Sequence, residues 1–105
     1  NEMDIISVSL RQFIVELAKC RVFIGMDSGG VHLAAAIGTP VFGIYGTMKT
    51  AYSQPIGDQV HVLALPDVEV PCRPCDQYHC TNSLHQRCLK DLSLDPLMEQ
   101  IKSYL

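Results

Sequence analysis

The chain lacks the features by which composition alone assigns a function. Its 105 residues hold no arginine or lysine cluster and carry a net charge of -3, so the electrostatic footprint of nucleic-acid binding is missing. No apolar run approaches the length of a membrane-spanning helix. No cleavable signal pattern opens the chain, and neither an internal repeat nor a low-complexity segment interrupts it. It does not begin with methionine, and the expectation is that Asn1 lies inside a longer polypeptide. What is present, 48% hydrophobic and 18% charged residues, suits a single globular domain over residues 1–105.

The organising stretch is residues 21–47, RVFIGMDSGGVHLAAAIGTPVFGIYGT. Residues 21–25 form an apolar, partly β-branched run, residues 31–37 an alanine-rich helix closed by Gly38 and Pro40, and residues 41–45 a second apolar run. The pattern is strand, polar turn, deeply packed helix, strand: a βαβ unit. Upstream, Ser9-Leu10-Arg11-Gln12 matches a capping box. The helix it opens runs to about Lys19, with Leu10, Phe13, Ile14, Leu17 and Ala18 as a buried stripe against the sheet. Cys20 follows and is expected to be a small buried apolar residue rather than a nucleophile.

Downstream, residues 46–52 read as a loop with one helical turn, residues 55–58 as a turn and residues 60–65 as a third strand. Asp95-Pro96 marks a last helix, with Asp95 as cap and Leu97, Met98, Ile101 and Leu105 as its apolar face. The fold class is therefore α/β, a Rossmann-like partial parallel sheet flanked by helices, with a cysteine-rich loop at 66–90.

Two places carry chemistry. The first is the turn Asp27-Ser28-Gly29-Gly30 with His32 behind it. Ligands of open α/β sheets bind at the carboxyl ends of the strands, and the free amides of a helix start favour an anion. No lysine or arginine lies between Gly25 and Met48, so a phosphate here is held by amides, hydroxyls and His32. Asp27 repels a bare phosphate and suits sugar hydroxyls; a sugar diphosphate uses both. The plainer alternative is a helix cap, a tight turn and a packing histidine.

The second is Cys72-x2-Cys75-x4-Cys80-x7-Cys88. Two residues between thiolates let both face one ion, and four thiolates suit a structural zinc or iron with no open position for catalysis. His79 and His85 are spare ligands. Disulfides formed on oxidation, or a loop without metal, are the alternatives.

Residues 27–41, DSGGVHLAAAIGTPV, resemble the signature of the ADP-heptose:lipopolysaccharide heptosyltransferase family, glycosyltransferase family 9. The similarity continues through Ile44-Tyr45-Gly46-Thr47 and Pro71-Cys72-Arg73-Pro74-Cys75 to the last helix. The resemblance implies most of the C-terminal, nucleotide-sugar-binding domain of a two-domain GT-B glycosyltransferase, with an ADP-sugar donor, a lipopolysaccharide core or other acceptor, and a cytoplasmic location peripheral to the inner membrane. It implies that Asp27, Ser28, Gly29, Gly30, His32, Gly46 and Thr47 line the donor site. It places the catalytic base on an N-terminal domain preceding Asn1, so this chain alone is expected to be inactive, with one sheet edge unpaired and available for self-association. Two positions depart from the family pattern: Gly30 stands where proline is usual, and Thr47-Met48-Lys49-Thr50 replaces P-T-D-P. The competing reading is a non-catalytic oligomerisation or metal-binding module built on the four cysteines.

Overall fold

The computed structural model describes residues 7–75, 80–84 and 86–105. Three parallel strands, β1 (Phe23–Met26), β2 (Val41–Ile44) and β3 (Val60–Leu63), form a sheet in the order β1-β2-β3. Phe23 lies opposite Val41, which lies opposite Val60. Among them run α1 (Leu10–Lys19), α2 (Gly29–Ala36), α3 (Thr50–Ser53), α4 (Arg87–Lys90) and α5 (Asp95–Lys102), with a 3-10 turn at Asp67–Glu69. The expected α/β architecture is present.

Alternation along the central strand sends Val41 and Phe42 to opposite faces. On one face Val41 packs with Val31 and Ala34 of α2 and Leu17 of α1, and Phe13 and Phe23 meet edge-on at 6.4 Å. On the other, Phe42 packs with Leu97 and Ile101 of α5, supported by Ile44, Leu63 and Tyr104. His61 stacks on Phe42 at 4.6 Å and is hydrogen-bonded to the Tyr104 hydroxyl at 2.9 Å.

Chain chemistry explains the boundaries. Ser9 Oγ accepts from the Gln12 amide at 3.3 Å, the first half of the expected capping box. At the end of α2, Gly38 takes a φ of 87°. The Thr39 amide then donates to Ala34 O at 3.0 Å and the Gly38 amide to Ala35 O at 3.2 Å, the paired bonds of a left-handed helix stop. Thr39 is buried and its hydroxyl donates to Leu17 O at 2.8 Å, which ties the end of α2 to the end of α1.

Six expectations are corrected. Leu10 and Ala18 are exposed, because α1 meets the rest of the protein along Phe13, Ile14 and Leu17 only. Cys20 is exposed too, its thiol bonded to Glu16 O at 3.2 Å. Helix α2 buries Val31 and Ala34 but leaves Ala36 and Ile37 outside. Leu94, not Asp95, caps α5, and Asp95 is already helical. Met98 and Leu105 are exposed, with Tyr104 taking the place expected of them in the α5 core. The strands are also shorter than read: residues 21, 22, 45, 64 and 65 fall outside the ladder.

Candidate functional site

The turn between β1 and α2 stands at the carboxyl edge of the sheet, beside the turn that follows β2. Ser28 adopts an extended backbone at the cap position but does not cap; its hydroxyl donates back to Met26 O at 3.1 Å. The first amides of α2 therefore have no side-chain acceptor. Asp27, Ser28, Gly29 and His32 are exposed around them. Gly30 is half-buried, and a Cβ there would stand 3.1 Å from Phe23 Cζ.

Asp27 is held from a direction the turn itself does not reveal. Ser53, at the end of α3, donates its hydroxyl to Asp27 Oδ2 at 3.1 Å, and the Tyr45 hydroxyl donates to Ser53 O at 3.2 Å. Tyr45 is fully buried. Burial, and after it the negative charge of Asp27, push its phenol above the usual 10.0. Asp27, Ser53 and Tyr45 thus join the ends of β1 and β2 through α3.

The cysteine segment closes over the neighbouring turn. Gly46 is buried, and a Cβ on it would lie 2.6 Å from Leu89 Cγ, so it admits the apolar side chain of α4. Thr47 is exposed, and its carbonyl accepts from the Cys75 amide at 2.8 Å. Arg73 fixes the same turn from below. Its side chain is 1% exposed; Nε donates to Gly46 O at 2.8 Å, and Nη1 to Leu65 O at 2.6 Å and Asp67 Oδ1 at 2.9 Å. Its Nη2 is buried and has no partner among the described residues. Arg87 adds a second tie, to Glu69 and Asp91 at 2.7 Å each.

Cys72, Cys75, Cys80 and Cys88 line one cavity of about 20 Å³ together with Arg73 and Asn82, and all are free thiols. Burial pushes the Cys88 thiol up, Arg73 opposes that, and the other three cysteines add to it. Among the described residues no three His, Cys, Asp or Glu side chains stand close enough together to hold an ion as they are; His79 and His85 lie outside those residues. The four thiols share a chamber without meeting at one point.

Sequence reasoning missed Ser53, Tyr45 and Arg73. Nothing marks Ser53, whose role comes from where α3 ends. Arg73 did carry a signal: a lone arginine between two Pro-Cys steps has no solvent-exposed helix face to occupy.

The family description that matches residues 7–85 is "Glycosyltransferase family 9 (heptosyltransferase)". Lipooligosaccharide heptosyltransferase 2 of Campylobacter jejuni is 31% identical over 97 residues, 92% of this chain and 30% of that protein. Lipopolysaccharide heptosyltransferase 2 of Salmonella typhimurium is 26% identical over 96 residues, 91% of this chain and 26% of that protein. Lipopolysaccharide heptosyltransferase 1 of Pseudomonas aeruginosa is 32% identical over 75 residues, 70% of this chain and 20% of that protein. The chain spans less than a third of the length of these relatives. No solved structure matches significantly.

Proposed function

The chain belongs to glycosyltransferase family 9, the heptosyltransferase family, and on that premise we propose that it is the donor-binding part of an enzyme transferring an ADP-activated heptose, or a related sugar, to a lipopolysaccharide core or other acceptor. The observation that carries this reading is the uncapped start of α2 beside the exposed carboxylate of Asp27. The amides of Gly29 and Gly30, and the Ser28 hydroxyl once it turns from Met26 O, receive the diphosphate, whose charge the helix end favours. Asp27, aimed by Ser53, accepts hydrogen bonds from the sugar hydroxyls. His32 lies one turn behind, and Thr47 forms the neighbouring wall. Gly46 contributes there only as the buried support of Thr47.

In this reading the domain orients the donor and supplies no catalytic base. The base and the acceptor site belong to an N-terminal domain of a GT-B arrangement, facing the carboxyl edge of the sheet. Closing that domain over the turn excludes water from the reacting sugar, and transfer proceeds by an inverting displacement.

Titration calorimetry with ADP and with ADP-heptose tests the reading. The expected result is binding of both, with Asp27→Ala removing the advantage of the sugar nucleotide over ADP while the circular dichroism spectrum stays unchanged. Equal binding of ADP-heptose by the wild-type chain and Asp27→Ala would overturn the role of Asp27. No binding of either nucleotide would overturn the whole reading. Heptose transfer by this chain alone would contradict the placement of the base elsewhere.

A further inference from the structure

We propose that Ser53 is the positioning residue that makes Asp27 discriminate a sugar nucleotide from the bare nucleotide, and that the buried hydroxyl of Tyr45 holds Ser53 to that task. The inference rests on the donor-site reading above and extends it to two residues that act through Asp27.

Asp27 follows β1 in an exposed turn, where a short carboxylate turns about two side-chain bonds. One contact restrains it. The Ser53 hydroxyl donates to Oδ2 at 3.1 Å, and among the described residues nothing else donates to the carboxylate. With Oδ2 engaged, Oδ1 is the oxygen left for a sugar hydroxyl. A carboxylate fixed before the ligand arrives gives up less rotamer freedom on binding, and affinity gains by that amount.

Ser53 is itself fixed. It closes α3, where the Gln54 amide donates to Thr50 O at 2.8 Å, and its own carbonyl accepts from the Tyr45 hydroxyl at 3.2 Å. Tyr45 reaches it because of Gly43. Alternation puts the two on the same side of the chain, and a Cβ on Gly43 would stand 2.8 Å from Tyr45 Cε1. The ring therefore lies back over the central strand, in space that any other residue at 43 would fill. Glycine inside a strand weakens it and marks such close approaches.

Phenylalanine would occupy the same apolar space, whereas a buried phenol needs a partner. The partner here is the residue that aims Asp27. Burial first, and then the charge of Asp27, hold that phenol in its protonated form, so the carboxylate is felt at the far end of the same chain of bonds. Gly43, Tyr45, Ser53 and Asp27 thus run from the centre of the sheet to the donor turn.

The test compares ADP and ADP-heptose binding by titration calorimetry in the wild-type chain, Ser53→Ala, Asp27→Ala and the double variant. Ser53→Ala is expected to weaken ADP-heptose binding by about 5-fold, with ADP binding and the circular dichroism spectrum unchanged. Ser53→Thr keeps a hydroxyl and retains the wild-type preference. Tyr45→Phe is expected to shift the preference in the same direction as Ser53→Ala by a smaller factor. In the Asp27→Ala background, where the preference is already gone, Ser53→Ala is expected to change nothing further. A merely structural Ser53 would lower both affinities alike or lower them again in the double variant, and either result overturns the proposal. If Asp27→Ala loses the preference while Ser53→Ala keeps it, the proposal fails and the donor-site reading stands. A wild-type chain without the preference, or Asp27→Ala retaining it, overturns both.

Discussion

Gly38 and Tyr45 show how single residues set local limits. At a φ of 87° a Cβ is strained whatever space surrounds it, so Gly38→Ala is expected to destabilise the chain by about 1–2 kcal/mol, read as a lowered urea midpoint. The hydroxyl of Thr39 next to it donates to Leu17 O at 2.8 Å, so the same stop also ties α2 to α1. Tyr45 makes stability depend on pH. Its pKa is raised above 10.0 in the folded chain, so the folded state holds its proton more firmly than the unfolded one. That stabilisation is complete below pH 10, the unfolded value, and is lost as pH rises through the folded value. Tyr45→Phe is expected to flatten the alkaline limb of a stability–pH profile; an unchanged limb would assign it to other groups.

At the scale of elements, α2 is the informative case. Nothing lies within 4 Å of a Cβ built on Gly29, and alanine is the better helix residue by up to about 1 kcal/mol. Gly29→Ala is therefore expected to raise the unfolding midpoint while weakening nucleotide binding, since its methyl stands among the amides that receive the diphosphate. A variant that gains stability and keeps full binding would argue that the helix end is not the phosphate site. The same element shows what a sequence conveys. Strand, turn and helix were legible from 21–47 because their signals are local: apolar period, small turn residues, Gly38 and Pro40 as a stop. The exposure of Leu10, Ala18, Met98 and Leu105 was not. Periodicity fixes which residues share a helix face, and only the neighbours that arrive in three dimensions decide how much of that face is covered. The Ser53 bond to Asp27 escaped for the same reason, as 26 residues separate the partners.

For the whole molecule, the notable surface is β1. Among the described residues it is an edge strand, and Ile24 and Met26 on its one side are about half exposed. Unpaired strand edges of this kind associate. The 105-residue chain is expected to self-associate at raised concentration, and Ile24→Lys to shift it towards monomer in sedimentation velocity. A wild-type chain that stays monomeric throughout would show that the edge is protected. Among the described residues no helix is long and apolar enough to cross a membrane.

The grip of Arg73 has a kinetic corollary. One guanidinium holds the carbonyls of Gly46 and Leu65, which follow β2 and β3, while the Cys75 amide bonds to Thr47 O. Detaching the cysteine segment by itself strands a buried charge, whereas opening it together with the strand ends exposes all these groups to water at once. Amide deuterium exchange at Cys75 is therefore expected to keep pace with that of Tyr45, whose amide bonds Leu63 O at 2.9 Å, and not with the exposed 3-10 turn that lies closer to it in the chain.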